Sequence, residues 1–548
     1  MPDLILGPIL RYVSETEATV WIETDGPCEA EVLGCSAQTF QIEGNHYAII
    51  IVTGLKPGSV LPYEVRLNEE VRWPLPDTQF PPSTIRTPGG PDRLRVAFGS
   101  CRVALPHEPP YVLPKDEDPE GRGPDALYAL ALRLRELPTE KWPDVLVMIG
   151  DQIYADEVSP GTREFIRENG NLEGPHAEEV TEFPEFRHLY LDSWGDPTMR
   201  WLLSVVPSAM IFDDHDVRDD WNTSWSWLME MRDDPWWQEH IVNALSSYWV
   251  YQHIGNLSPA ELAEDELFAR VQEVEDGGER LREFSRRADR DPTTTRWSFH
   301  RDFGRTRLVV VDSRASRVLE PGRRSMLDEE EWLWLEEVVA GDFDHLLIGT
   351  SLPVLLTRGM HDLEAWNEAV CAGAWGWPGK KLAERVRQAI DLEHWAAFES
   401  SFDRMAELLE DVAAGRRGKA PASIVMLSGD VHHAYLAEVA FNATAESQSV
   451  VYQAVCSPLR NGLNRRERAM IRFACSRMGQ AIGRFLARSA RVKKTRIHWN
   501  LAERQPWFEN QVAQIELDGS HAKIIFERAP NESPEDPRLE LGYERQLT

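Results

Sequence analysis

Leu146-Val147-Met148-Ile149-Gly150-Asp151-Gln152-Ile153-Tyr154-Ala155-Asp156 is an apolar run of strand length that halts at a glycine and hands over to a carboxylate, with a tyrosine three residues further on. Alone it reads as a buried strand whose end presents acids in a loop, and ligand sites in open α/β sheets lie at such ends. The pattern recurs. Arg95-Val96-Ala97-Phe98 runs into Gly99-Ser100-Cys101-Arg102, and Ala209-Met210-Ile211-Phe212 into Asp213-Asp214-His215-Asp216. Leu308-Val309-Val310-Val311 runs into Asp312-Ser313-Arg314, and Ile424-Val425-Met426-Leu427 into Ser428-Gly429-Asp430-Val431-His432-His433. Five strands that each deliver Asp, His, Cys, Tyr or Arg predict a single site assembled along one sheet edge.

Bulk properties narrow the function. A chain of 548 residues with 42% hydrophobic content holds two to four units with large cores. A net charge of -31 excludes a general nucleic-acid binder, because phosphate backbones are repelled over most of the surface. A small anionic substrate is compatible where local cations reverse the sign. The start, Met1-Pro2-Asp3-Leu4, carries neither a basic region nor a twin arginine, and no apolar run reaches membrane-spanning length. The six cysteines form no CxxC pair or dense framework, which fits a reducing compartment, so a cytoplasmic location is expected.

Residues 1–90 read as a small all-β sandwich of fibronectin or immunoglobulin type. Short strands such as Ala18-Thr19-Val20-Trp21-Ile22 and Tyr47-Ala48-Ile49-Ile50-Ile51-Val52 recur between turn residues. Leu55-Lys56-Pro57-Gly58 followed by Tyr63 resembles a late-strand signature in which the tyrosine packs at the sheet corner. Thr87-Pro88-Gly89-Gly90-Pro91-Asp92 is the expected linker. Residues 92–530 follow as an α/β domain that carries the chemistry, with a polar, loose tail over 531–548. Amphipathic spacing predicts helices over 125–136, 328–340 and 391–411. Segments 160–200 and 222–290 read as helical insertions. The tryptophans of the second (Trp225, Trp227, Trp236, Trp237) form either an apolar cluster beneath it or a wall of the pocket. Residues 460–496 hold twelve Lys or Arg against the single acid Glu467. This basic amphipathic segment either packs against the acidic remainder of the chain or makes peripheral contact with a membrane surface or acidic partner.

Carboxylates and histidines at strand ends are what a two-metal hydrolase requires. Two cations a few ångströms apart need anionic ligands, one of which bridges them, and together they clamp a phosphoryl oxygen and ionise a water. Gly150-Asp151 and Gly429-Asp430-Val431-His432 suit this, with glycine allowing close backbone approach. Each residue also has a plainer reading, Cys101 as a small buried hydrophobe and Tyr154 as a packing residue. Asp312-Ser313-Arg314 reads as a structural salt bridge below the site.

Ser100-Cys101-Arg102, Gly150-Asp151-Gln152-Ile153-Tyr154, Asp213-Asp214-His215-Asp216 and Gly429-Asp430-Val431-His432, in this order, resemble the motifs of the PhoD-like alkaline phosphatases. That family lies in the calcineurin-like metallophosphoesterase superfamily. The resemblance covers about residues 94–460. It implies two packed mixed β-sheets flanked by helices, and hydrolysis of phosphate monoesters or diesters by metal-activated water. It further implies a ferric ion held by Cys101, Asp151 and Tyr154, with calcium beside it on oxygen ligands that include Asp151 and Asp430, and His432 completing the cluster. Thiolate, carboxylate and phenolate are three anions, which favours a trivalent ion. Where the family often carries asparagine, four residues after the motif histidine, this chain has Asp219, assigned here to the second cation. His215 is expected to donate a proton to the leaving oxygen and Arg102 to clamp phosphate. The substrate is then a small phosphorylated molecule. The competing readings are a binding protein on a degenerate hydrolase fold and a metallohydrolase for another ester class.

Overall fold

The run Leu308-Val309-Val310-Val311 is apolar throughout because both of its faces are covered. Leu308 and Val310 enter a core shared with Val147, Ile149 and Ile515, while Val309 and Val311 pack with Trp332, Leu335 and Met405. A strand turns alternate side chains to opposite faces, so a continuous hydrophobic run marks a sheet buried on both. The computed structural model describes residues 1–548 apart from 91–92, 170–175, 178, 442–446 and 533–534. The last two residues of the expected linker therefore lie outside the described residues.

Two sheets stand face to face around the first of these cores. One has six strands in the spatial order Ser208–Ile211, Val145–Ile149, Arg93–Gly99, Gln511–Asp518, His521–Arg528 and Glu540–Gln546. Its first three are mutually parallel. The other has seven, in the order Phe299–Phe303, Thr306–Val311, His345–Thr350, Ser423–Ser428, Val450–Val455, Tyr435–Phe441 and Ile497–Leu501. The second to fifth of these are parallel. The C-terminal ends of the two parallel sets meet, so the expected single sheet edge is in fact built from two sheets. Cys101 N donates to Gly150 O at 3.4 Å, and Asp430 N to Ser100 Oγ at 3.1 Å.

Helices Ala126–Glu136 and Glu329–Val338 begin where expected, because the carboxylates of Asp125 and Asp328 accept from backbone N–H groups of the first turn. The helix expected over 391–411 instead runs Glu399–Ala413. Residues 391–394 leave the helical path, with Asp391 at φ 48°, because Glu393 and His394 turn to buried partners in the site. The tail is likewise not loose. Glu540–Gln546 pairs antiparallel with His521–Arg528, its alternating exposure marking an edge strand with one face in water. Trp227 and Trp237 are buried in the main core and meet edge to face at 5.3 Å, so these tryptophans form an apolar cluster beneath the insertion.

The N-terminal region is a sandwich of two four-stranded antiparallel sheets. Its interior holds Val20, Ile22, Ala48 and Ile50, whereas the alternate residues Trp21, Tyr47 and Ile49 face the rest of the chain. The expected corner role of Tyr63 is replaced by an anchor, its hydroxyl donating to Ser204 O at 2.7 Å in the helix Pro197–Val205. Arg11 crosses the same boundary. Its buried guanidinium donates to Tyr251 O (3.1 Å), Gln252 O (2.7 Å) and Asn256 Oδ1 (3.0 Å), around a π-helical turn over Trp249–His253. Arg11→Met should therefore lower unfolding free energy by about 2–4 kcal/mol, since buried acceptors lose their donor without access to water. Denaturant titration reads this directly, and an unchanged midpoint would show the contact to be dispensable.

Candidate metal centre

Glycine is demanded at two strand ends by neighbours rather than by a ligand. A Cβ on Gly150 (φ 94°) would lie 2.5 Å from Asp213 Cβ, and one on Gly429 would lie 2.0 Å from Ser100 Oγ. The residues that follow take the left-handed conformation although none is glycine: Cys101 at φ 57°, Asp151 at 54°, Asp430 at 65° and His432 at 50°. Each such residue costs about 1–2 kcal/mol, a strain held only where the surroundings impose it and which clusters at functional sites. The four are also the residues that the motifs single out.

The turns are tied together by Asp216. Its carboxylate accepts from Asp151 N (2.8 Å), Asp213 N (2.9 Å), Gln152 N (3.2 Å) and Gln252 Nε2 (2.9 Å). Asp216 is thus a backbone clamp, and burial pushes its carboxyl up to about 7.

Among the described residues there are four groups of potential ligand atoms, those of each group lying within 4.8 Å of one another. They are Cys101, Asp151 and His432; Asp151, Asp213 and Asp214; Asp214, Glu393 and Asp430; and Asp156, His215 and Asp219. The third is already served by a cation. Arg314, fully buried, reaches Asp213 (2.5 Å), Asp214 (3.2 Å), Glu393 (2.6 Å) and Asp430 (3.4 Å). The fourth is an ion pair at the rim, with His215 Nδ1 2.8 Å from Asp156 and its Nε2 3.7 Å from the largely exposed Asp219. Burial alone would lower the His215 imidazole, but Asp156, Asp214 and Asp151 hold it well above its ordinary range. Among the described residues, the two groups that share Asp151 hold buried carboxylate oxygens without a hydrogen-bond partner, Asp151 Oδ1 and Asp213 Oδ2, while Arg314 engages Asp213 through its other oxygen.

Around Asp151 the donor set is anionic and crowded. Tyr154 Oη lies 3.4 Å from Asp151 Oδ2 and accepts from Asn461 Nδ2 at 3.2 Å. Ser100 Oγ and Ser457 Oγ each lie 3.1 Å from Cys101 Sγ. Burial pushes the Cys101 thiol, the Tyr154 phenol and the Asp151 carboxyl well up, and their negative neighbours push in the same direction. His432 is held neutral, since burial brings it down to about 3. Groups that so oppose one another's ionisation are reconciled by a cation between them, and a neutral imidazole is the form that ligates one.

Cys101, Asp151, Tyr154 and His432 are therefore brought together as expected from the sequence. Asp430 stands beside them, but its carboxylate turns to Arg314 and to His394 Nε2 (2.8 Å), whose Nδ1 lies 2.7 Å from Glu364. Arg102 corrects the expectation of a phosphate clamp. Its guanidinium donates to Asp125 (2.8 Å) and Ser193 O (2.8 Å), both buried, and is committed to holding the helix Ala126–Glu136. Asp312 does not pair with the Arg314 guanidinium either; it accepts from the backbone of Arg314, Ala315 and Ser316. The residues that sequence reasoning missed, Glu364, Glu393, His394, Ser457 and Asn461, approach from other elements. A cavity of about 430 Å³ lined by Val13, Arg86, Arg95, Asp144 and Asp302 lies at the opposite ends of the same strands and contains none of the motif residues.

Residues 132–494 match the family of PhoD-like phosphatases, and residues 1–85 match a domain of unknown function, DUF7800. A solved structure described as "Structure of PhoD" is similar to the whole chain, covering 100% of it and 90% of that chain, at 12% identity and a TM-score of 0.58. No curated protein matched. Matching over most of its length, the chain belongs to the PhoD-like phosphatase family and is a metal-dependent phosphoesterase.

Proposed function

We propose that Asp151 bridges two metal ions, a ferric ion on the side of Cys101, Tyr154 and His432 and a calcium ion on the side of Asp213 and Asp214. The observation that carries this is that two of the ligand groups among the described residues share Asp151, whose buried Oδ1 has no hydrogen-bond partner, as is also true of the neighbouring Asp213 Oδ2. Thiolate, carboxylate and phenolate suit a trivalent ion, whereas an all-carboxylate group suits calcium. When bound, such a pair supplies an ionised water at neutral pH and a clamp on phosphoryl oxygens. The chain's own residues do the rest. His215, paired through Nδ1 with Asp156, is the residue assigned to give a proton to the leaving oxygen of a small phosphate ester. Arg314 offsets the surplus of carboxylates and fixes Asp213 and Asp214 toward Asp151. Asp430 and Asp219, expected as ligands, border the pair and tune it through Arg314 and His215.

Colour tests the assignment. Phenolate- and thiolate-to-iron charge transfer should give the purified protein a visible absorption band, which calcium or zinc alone lacks. Tyr154→Phe should remove the phenolate part at nearly constant volume, and Cys101→Ser the thiolate part. A colourless, iron-free and fully active enzyme would leave both as packing residues.

A further inference from the structure

We infer that the helix pair following the catalytic motifs is a docking surface for an anionic membrane. The helices are Arg465–Cys475 and Arg477–Ser489, joined at Ser476. Their amphipathicity is inverted. The second buries Gly479, Gly483 and Ala487: Gly483 lies against the helix Arg358–Cys371, where a Cβ on it would lie 2.9 Å from Gly359 O, and Gly479 lies against Ala474 of the first helix. The large apolar residues point the other way: Met470 is 65% exposed, Phe473 45%, Met478 61%, Ile482 45% and Phe485 70%. Hydrophobic burial favours the reverse arrangement in water, since each large side chain left out forgoes about 1.5–3 kcal/mol. Small residues occupy the packing face, because only they allow the helices to approach so closely.

Charge decides what covers the face. Residues 460–496 carry twelve cations and one acid in a chain of net charge -31. Among the described residues Asp116 pairs with Arg465 and Arg468, and Glu399 with Lys493, but Arg466, Arg477, Arg491 and Lys494 have no ion-pair partner. A second copy docking by the same face would set these cations against themselves. An anionic lipid surface accepts the cations in its headgroups and the protruding side chains just beneath, as in helices that lie in the membrane plane. The helix Gly376–Ala389 adjoins the second helix, Trp375 Nε1 donating to Ser489 O at 3.4 Å, and exposes Trp377 (68%), a residue type that favours this boundary, beside Lys381. Among the described residues no helix is long and apolar enough to cross a membrane, so the contact is peripheral.

Co-sedimentation of the full-length protein with vesicles tests this. Wild type should sediment with vesicles of mixed phosphatidylserine and phosphatidylcholine at low salt, and not with phosphatidylcholine alone. Raised salt should release it. Phe485→Ser with Ile482→Ser, and separately Arg477→Glu with Lys494→Glu, should each weaken binding at least tenfold while leaving hydrolysis of a small soluble ester unchanged. Absence of binding to the anionic vesicles, or equal binding to both kinds, would overturn the inference. So would a concentration-dependent dimer abolished by the Phe485 and Ile482 substitutions, which would assign the face to a second copy.

Discussion

Asp151→Asn should lower turnover of a phosphate ester by several orders of magnitude and reduce the content of both metals together. A bridging carboxylate holds two cations at once, so losing its charge weakens both sites rather than one. Folding should respond in the opposite direction. Asp151 is buried beside Asp213 and Asp214, with one oxygen unpartnered, and burial and those neighbours push its carboxyl well up. A neutral amide removes that penalty, so the metal-free variant should melt at or above the metal-free wild type. Near-normal turnover in a folded variant would end the bridging assignment; a lowered melting temperature in the metal-free comparison would recast Asp151 as structural.

Arg314→Met should be the most destabilising change near the site, lowering unfolding free energy by about 3–5 kcal/mol. Arg314 is the counter-ion common to Asp213, Asp214, Glu393 and Asp430. Burial works against its charge, but this ring of acids holds the guanidinium firmly protonated. Removing it leaves three buried carboxylates and the half-buried Asp430 without their counter-ion, and methionine fills the volume without the charge. Arg314→Lys should fall between, because a single ammonium cannot meet four acids as a planar fork does. Denaturant titration of both variants checks the order. A methionine variant as stable as wild type would mean that the acids are compensated elsewhere.

The strand ends carrying Cys101, Asp151 and His432 were legible because short-range grammar encodes them: apolar run, glycine or serine, then ligand. Tyr154 was legible through its spacing from Asp151. Glu393 and His394 were not, since they sit within a helical hydrophobic repeat of Leu392, Trp395, Phe398 and Phe402 that continues smoothly into the true helix at Glu399. On a continuous helix Glu393 would fall on the side opposite that apolar stripe, where a charge is ordinary, so local spacing held no signal. Arg102 misled for the opposite reason. It follows a ligand in sequence, yet the side chain after a turn residue points away, and Asp125, an N-cap read only as a helix start, was its partner. Tyr63 misled because an intradomain motif and an interdomain anchor place a tyrosine in the same local frame.

The contact of Arg11 with Gln252 bears on inheritance. Gln252 takes a hydrogen bond from Arg11 on its carbonyl, and its amide donates to Asp216, the clamp on the Asp151 backbone. Residue 90 separates two sheets but is no seam for recombination. A foreign sandwich spliced onto residue 93 would arrive without the arginine that steadies this turn. The leading segment and the hydrolase behind it are therefore constrained to diverge as a pair, and a shuffled lineage would first have to rebuild the junction before its catalysis could recover.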